Sequence, residues 1–180
     1  MNNFDIFCSD LLEESKRFLE KSRVETNPNA IKAYQHACLL LTVCSLEAYI
    51  NGISEEMCLT PKIPMHIKAV LLEKELRIKK GDFFISNSLK MSRLSERIEI
   101  LYRRYKGIEL TDTEKWWSMI KMGIDIRNKI THPKDETNIS NDLLTKILQA
   151  VLDCLTVLYK AIYKRNFPKA NMQLNSKYDF

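Results

Sequence analysis

Apolar residues recur at helical spacing along most of the chain. Phe4, Phe7, Leu11, Leu12, Phe18 and Leu19, with charges between them, predict an amphipathic helix over residues 4–23. Asn27-Pro28-Asn29 breaks it and starts the next, because proline suits a helix's first turn. Residues 29–57 predict one long helix with apolar side chains around nearly its whole circumference, the pattern of a helix at the centre of a domain. One stripe on it differs: His36, Leu40, Glu47 and Asn51 project within about 60° of one another. A carboxylate in such a helix is costly unless it is paired.

Residues 60–64 form a loop. A short helix is expected over 65–80, ending in the basic run Arg77-Ile-Lys-Lys80, and residues 82–88 are less regular. Residues 89–106 predict another amphipathic helix. Thr111-Asp-Thr-Glu114 has the form of a capping box, opening a helix that runs through Trp116 to Ile130 and stops before Pro133. The last helix is expected over 140–164, with Leu144, Ile147, Leu148, Val151, Leu155 and Leu158 along one side. No strand is expected. The implied fold class is all-α, an antiparallel bundle of roughly five or six helices around a long central second helix. Residues 1–165 make the helical domain and 166–180 a peripheral tail.

Composition narrows the setting. The chain is 45% apolar and 28% charged, enough for a sizeable core and too apolar for global disorder. A net charge of +5 is a mild bias toward polyanions. The five cysteines contain no C-x-x-C, and Cys38, Cys44 and Cys154 lie in apolar helical runs, so they are expected to be buried thiols in a reducing cytosol. No Cys/His cluster has ligand spacing, so neither metal nor cofactor is expected. Met1-Asn-Asn-Phe-Asp5 lacks a basic n-region, and the run from Ala37 to Leu46 is about half a bilayer span. A cytoplasmic protein without membrane contact is the expectation.

The chemistry concentrates at the end of the helix that starts near Trp116. With Trp116 at 0°, Ile120, Gly123, Ile124 and Ile130 fall within about 80° of it, and Arg127 falls at about 20°, inside the apolar face. A guanidinium stays charged there, so it requires a carboxylate, a carbonyl or an anion. Glu47 is the best structural partner; an anion site is the functional alternative, and both hold if Glu47 orients Arg127 while other donors reach outward. His132 comes five positions later, where Pro133 unwinds the helix and lets the two side chains converge. Asn128 lies one turn before His132. Imidazoles change charge near pH ~6.5 and suit proton transfer, while an arginine suits a phosphate gaining charge. The plainer role for His132 is a helix C-terminal residue that satisfies carbonyls.

Arg127-Asn-Lys-Ile-Thr-His132 matches R-x4-H with a polar residue after the arginine, at the end of a late helix, with proline next. Ser45-Leu-Glu-Ala-Tyr-Ile-Asn51 on the second helix has the same likeness. On these residues the chain resembles the HEPN superfamily (higher eukaryotes and prokaryotes nucleotide-binding domains) over residues 4–165. The resemblance implies a metal-independent endoribonuclease that leaves 2′,3′-cyclic phosphate ends. It implies a homodimer in which two motifs face each other across one composite cleft. Arg127 and His132 take the motif positions, Asn128 the polar position, and Glu47 and Asn51 support them. Members act as toxins or anti-phage defence effectors, so an antitoxin or defence-system partner joins the RNA substrate as an expected partner. Some family toxins carry a tyrosine two residues after the histidine, where a partner modifies them. Here Lys134 stands there, and that control is not expected.

Arg77, Lys79, Lys80, Arg93, Arg97, Arg103, Arg104, Lys106 and Lys134 are the candidate RNA-binding side chains, against which stand solvated helix faces balanced by Glu73, Glu75, Glu96 and Glu99. Two other functions stay open: a non-catalytic HEPN-like binding or regulatory module, and a plain helical scaffold with a buried Glu47–Arg127 pair.

Overall fold

The computed structural model describes residues 3–169 and 174–180. In chain order the elements are α1 (Asn3–Val24), α2 (Pro28–Cys58), α3 (Met65–Leu71), β1 (Lys74–Lys79), β2 (Asp82–Leu89), α4 (Leu94–Lys106), α5 (Lys115–Thr131) and α6 (Asn141–Tyr163). The protein is mostly α, with a long second helix, as the periodicity predicts. Two compact units divide it: Met1–Leu46 with Leu110–Phe180, and Glu47–Glu109.

In the first unit α5 and α1 both pack on α6. Leu144, Ile147, Leu148, Val151, Leu155 and Leu158 of α6 are buried, together with Leu12 and Leu19 of α1. Each such side chain removed from water stabilises by about 1.5–3 kcal/mol. Gly123 sets the closeness of α5 to α6: a Cβ at that position would sit 2.8 Å from Ile147 Cγ2. Trp116 and Trp117 are both buried and meet edge-to-face.

Helix starts follow local chemistry. The Asn27 Oδ1 accepts from the N–H groups of Asn29 and Ala30, which caps α2 with Pro28 in its first turn. Ser140 Oγ accepts from the Leu143 N–H and caps α6. At α5 the expected capping box is not formed. The helix starts three residues later, at Lys115, and the Glu114 carboxylate accepts from the Trp116 indole N–H at 3.0 Å. Thr111 instead closes a turn before the helix, its carbonyl accepting from the Glu114 N–H.

Residues 174–180 lie against α1. Ser176 Oγ donates to the Glu13 carbonyl, the Lys177 N–H to the Glu13 carboxylate, and the Tyr178 hydroxyl to Asp10 at 2.7 Å. Glu13 also holds the buried Lys16 ammonium at 3.0 Å. This stretch of the expected tail is thus tied down by hydrogen bonds.

The second unit contains the main departure from the helical periodicity. The helix expected over 65–80 ends at Leu71, and the chain continues as an antiparallel hairpin, β1 with β2. Glu73 enters the left-handed region at φ 52°, which stops helical propagation. Lys80 and Gly81, at φ 53° and 89°, form the two-residue turn, where glycine meets the positive φ without steric cost. Helix α4 accordingly begins at Leu94 rather than 89. Helix α3 packs against both strands and against α4.

Among the described residues α2 is long and apolar enough to cross a bilayer by length and composition, and 61% of that window is buried inside the protein. Of the cysteines, Cys38 and Cys154 are buried as expected, and desolvation pushes both thiols up, Cys38 to about 12. Cys44 is exposed, contrary to expectation.

Candidate functional site at the end of α5

The last two turns of α5 and the loop after it enclose an open cleft of about 540 Å³. Asp125, Asn128, Lys129 and His132 line it from the helix, and residues 134–138 line it from the loop. Lys32 near the start of α2 fixes the loop by pairing with Glu136 at 2.6 Å, which holds that carboxyl below its usual range. Asp125 and Lys129 pair with each other along the helix at 2.7 Å.

The backbone explains how His132 reaches the cleft. Its N–H still donates to the Asn128 carbonyl at 2.9 Å, so α5 is intact up to that atom. Its own φ of −129° and ψ of 65° then leave the helix, ahead of Pro133. Thr131 Oγ1 donates back to the Arg127 and Asn128 carbonyls at 3.1 and 3.2 Å. The His132 side chain is exposed and makes no hydrogen bond among the described residues. The imidazole therefore does not cap the carbonyls at this end.

Asn128 and Lys134 share the cleft and are exposed. Arg127 is half-buried with its Nε buried, and it does not line this cleft. The structure brings His132, Asn128 and Lys134 together, with Arg127 on the inner side of the same helix.

Asn51 and Glu47 of the α2 stripe stand near a second arginine. Arg97 of α4 is 1% exposed. Its Nη2 donates to Asn51 Oδ1 at 2.6 Å. Its Nη1 lies 3.2 Å from the Glu73 carboxylate, an ion-pair contact without the angle of a hydrogen bond. Burial pulls the Arg97 guanidinium below its usual range, and Glu73 and Glu47 oppose that shift. Glu47 and Asn51 thus belong to the electrostatics of Arg97, a buried arginine that helical periodicity did not single out.

Arg97 must be withdrawn from the candidate RNA-binding residues, since a buried, paired guanidinium does not meet a polyanion. Arg93, Arg103 and Arg104 are exposed on α4. Arg103 pairs with Glu109 at 3.3 Å, and Arg104 donates to the Lys62 carbonyl at 2.6 Å.

No family model matches this chain, and neither a curated protein nor a solved structure is similar enough to it to count as a match.

Proposed function

We propose that this protein is a metal-independent endoribonuclease of the HEPN type, acting as a homodimer in the cytoplasm as a toxin or anti-phage defence effector. The observation that carries this reading is the R-x4-H end of α5, where the His132 imidazole stands exposed in an open cleft beside Asn128 and makes no hydrogen bond among the described residues.

The chemistry follows from the residue types. A 2′-hydroxyl attacks the adjacent phosphorus, its proton passing to a neutral imidazole; the bond from phosphorus to the 5′-oxygen breaks, and a protonated imidazole supplies the proton to that oxygen. The product is a 2′,3′-cyclic phosphate and a free 5′-hydroxyl. One histidine cannot hold both protonation states at once, so two copies of the motif across a dimer meet the need within one turnover. Arg127 neutralises the charge that builds on the phosphoryl oxygens, and Asn128 orients the phosphate or the imidazole.

The test is cleavage of a mixed RNA in EDTA by the wild type, Arg127→Ala, Asn128→Ala and His132→Ala, with end-group analysis. Cyclic phosphate ends that disappear with His132→Ala and Arg127→Ala support the reading. Equal cleavage by all four proteins overturns it.

The cleft's own charge favours a second reading. It presents Asp125, Asp135 and Glu136 against Lys129 and Lys134, a balance that suits a basic protein surface better than RNA. A non-catalytic binding module would give no cleavage and a loss of partner binding on Asp135→Lys.

A further inference from the structure

A cleft with three carboxylates and two ammonium groups supplies little of the charge that a nucleic acid needs. The cations concentrate in another stretch. From Lys74 to Arg93 there are six (Lys74, Arg77, Lys79, Lys80, Lys90, Arg93) against two carboxylates (Glu75, Asp82), a net +4 beside +5 for the whole chain. This stretch is the β1–β2 hairpin and the residues just after it.

Its register places Ile78 opposite Phe83, Arg77 opposite Phe84 and Lys79 opposite Asp82. Side chains alternate between the two faces of a strand. One face of the hairpin therefore bears Ile78 and Phe83, and the other bears Arg77, Lys79 and Phe84 together with Glu75 and Asp82. Phe83 is 59% exposed, Phe84 37% and Ile78 65%. Rings this open contribute little to the core. Arg77 is balanced by Glu75 at 2.7 Å, whereas Lys79 and Lys80 enter no ion pair among the described residues. Lys80 sits in the turn itself.

On the second face a ring stands among the cations. Arg77 and Phe84 are cross-strand neighbours on one face. An element that lies in a membrane interface segregates its cations from its rings. A single-stranded nucleic acid instead presents bases and phosphates in alternation, and stacking on an aromatic ring requires bases that are not already paired and stacked.

We propose that one face of the β1–β2 hairpin binds single-stranded RNA, with Phe84 stacking on a base while Arg77, Lys79 and the turn residue Lys80 neutralise phosphates. The proposal rests on the ribonuclease reading for its substrate class, and it assigns the holding of substrate to a different part of the chain from the cleavage.

The experiment measures binding of a fluorescent twelve-nucleotide oligouridylate to the full chain by anisotropy in EDTA, at several salt concentrations, in a His132→Ala background so that the probe survives. Phe84→Ala is expected to weaken binding about tenfold, from the loss of stacking, while Phe83→Ala, on the opposite face, leaves it unchanged. Lys79→Glu/Lys80→Glu is expected to weaken it and to flatten its salt dependence. Circular dichroism melts check that the variants still fold; all these positions are on an exposed hairpin, and either Phe84→Ala or the lysine pair alone suffices. Unchanged affinity in either of these two when folded, or an oligonucleotide that does not bind at all, overturns the proposal. So does a hairpin that proves necessary for binding to vesicles rich in anionic lipid and not for RNA. Cleavage in the wild type is scored separately: hairpin-dependent binding without cleavage sustains this proposal and removes the ribonuclease reading, and cleavage with hairpin-independent binding does the reverse.

Discussion

Arg97 and Arg127 both reside on helices that bury one side, and the two surroundings differ in every respect that matters. Arg97 is sealed, with Asn51 and Glu73 on its guanidinium and Glu47 adding to the field. Arg127 is half-buried near the end of α5, one turn before an exposed histidine and an open cleft. A buried guanidinium surrounded by carboxylates is a structural element that fixes how its neighbours pack, and nothing dissolved in water can reach it. An arginine at a helix end beside exposed polar groups has the surroundings that binding chemistry needs. An arginine out of place on an apolar face is thus a question, and its answer lies in whether its surroundings are closed or open.

The largest expected effect tests the open site. His132→Ala should reduce cleavage by about 10²–10⁴-fold, the usual worth of a positioned proton-transfer group. Arg127→Lys keeps the charge and loses the planar fork, and should also cut the rate severely. His132→Ala should not move the melting temperature by much. If Arg97→Lys were to abolish cleavage equally without unfolding the protein, the division between the two arginines would fail.

The next effect tests the closed site. Arg97→Ala leaves Glu73 and Asn51 facing a cavity and should cost about 3–5 kcal/mol, the range for breaking a buried charge pair. Asn51→Ala removes one neutral acceptor from a charged donor and should cost about 1.5–3 kcal/mol. Urea titrations measure both. A loss below ~0.5 kcal/mol for Arg97→Ala would mean that the pair is solvated and that the closed description is wrong.

The same comparison marks what sequence could carry. Helix periodicity located α1, α2, α5 and α6 nearly to their ends, because each buries a continuous apolar stripe that repeats at 3.6 residues. It failed at the hairpin. Glu75-Leu76-Arg77-Ile78-Lys79 alternates with period two, and Lys80-Gly81 ahead of Phe83-Phe84-Ile85 is a turn between two strands. The signal was present, but five residues of alternation resemble a helix end when the flanks are helical. The site motif was legible because its residues lie within six consecutive positions. The Arg97 network was not, since Asn51 and Arg97 stand 46 positions apart and no local pattern reports such a pairing.

A third change probes the packing behind the open site. Gly123→Ala places a methyl 2.8 Å from Ile147 Cγ2, so α5 and α6 must separate or Ile147 must change rotamer. A cost of about 1–3 kcal/mol is expected for such overpacking. The displaced helix carries the motif, so cleavage should fall together with stability. Gly123→Ala/Ile147→Ala, which removes that Cγ2, should then cost less than the sum of the two single changes, and this would locate the fault at the contact.

The smallest effect is the most discriminating for His132. If the histidine were a helix cap, its removal would cost more than removal of Thr131. The hydrogen bonds run the other way, since Thr131 Oγ1 serves the Arg127 and Asn128 carbonyls while the imidazole serves none among the described residues. Thr131→Val should therefore cost about 0.5–1.5 kcal/mol, the net worth of an ordinary hydrogen bond. His132→Ala, at an exposed position, should stay within about 0.5 kcal/mol of the wild type. At roughly 2–4 °C per kcal/mol for a chain of this size, a thermal melt resolves the two. The reverse order of stabilities would return His132 to a structural role and remove the observation on which the catalytic reading depends.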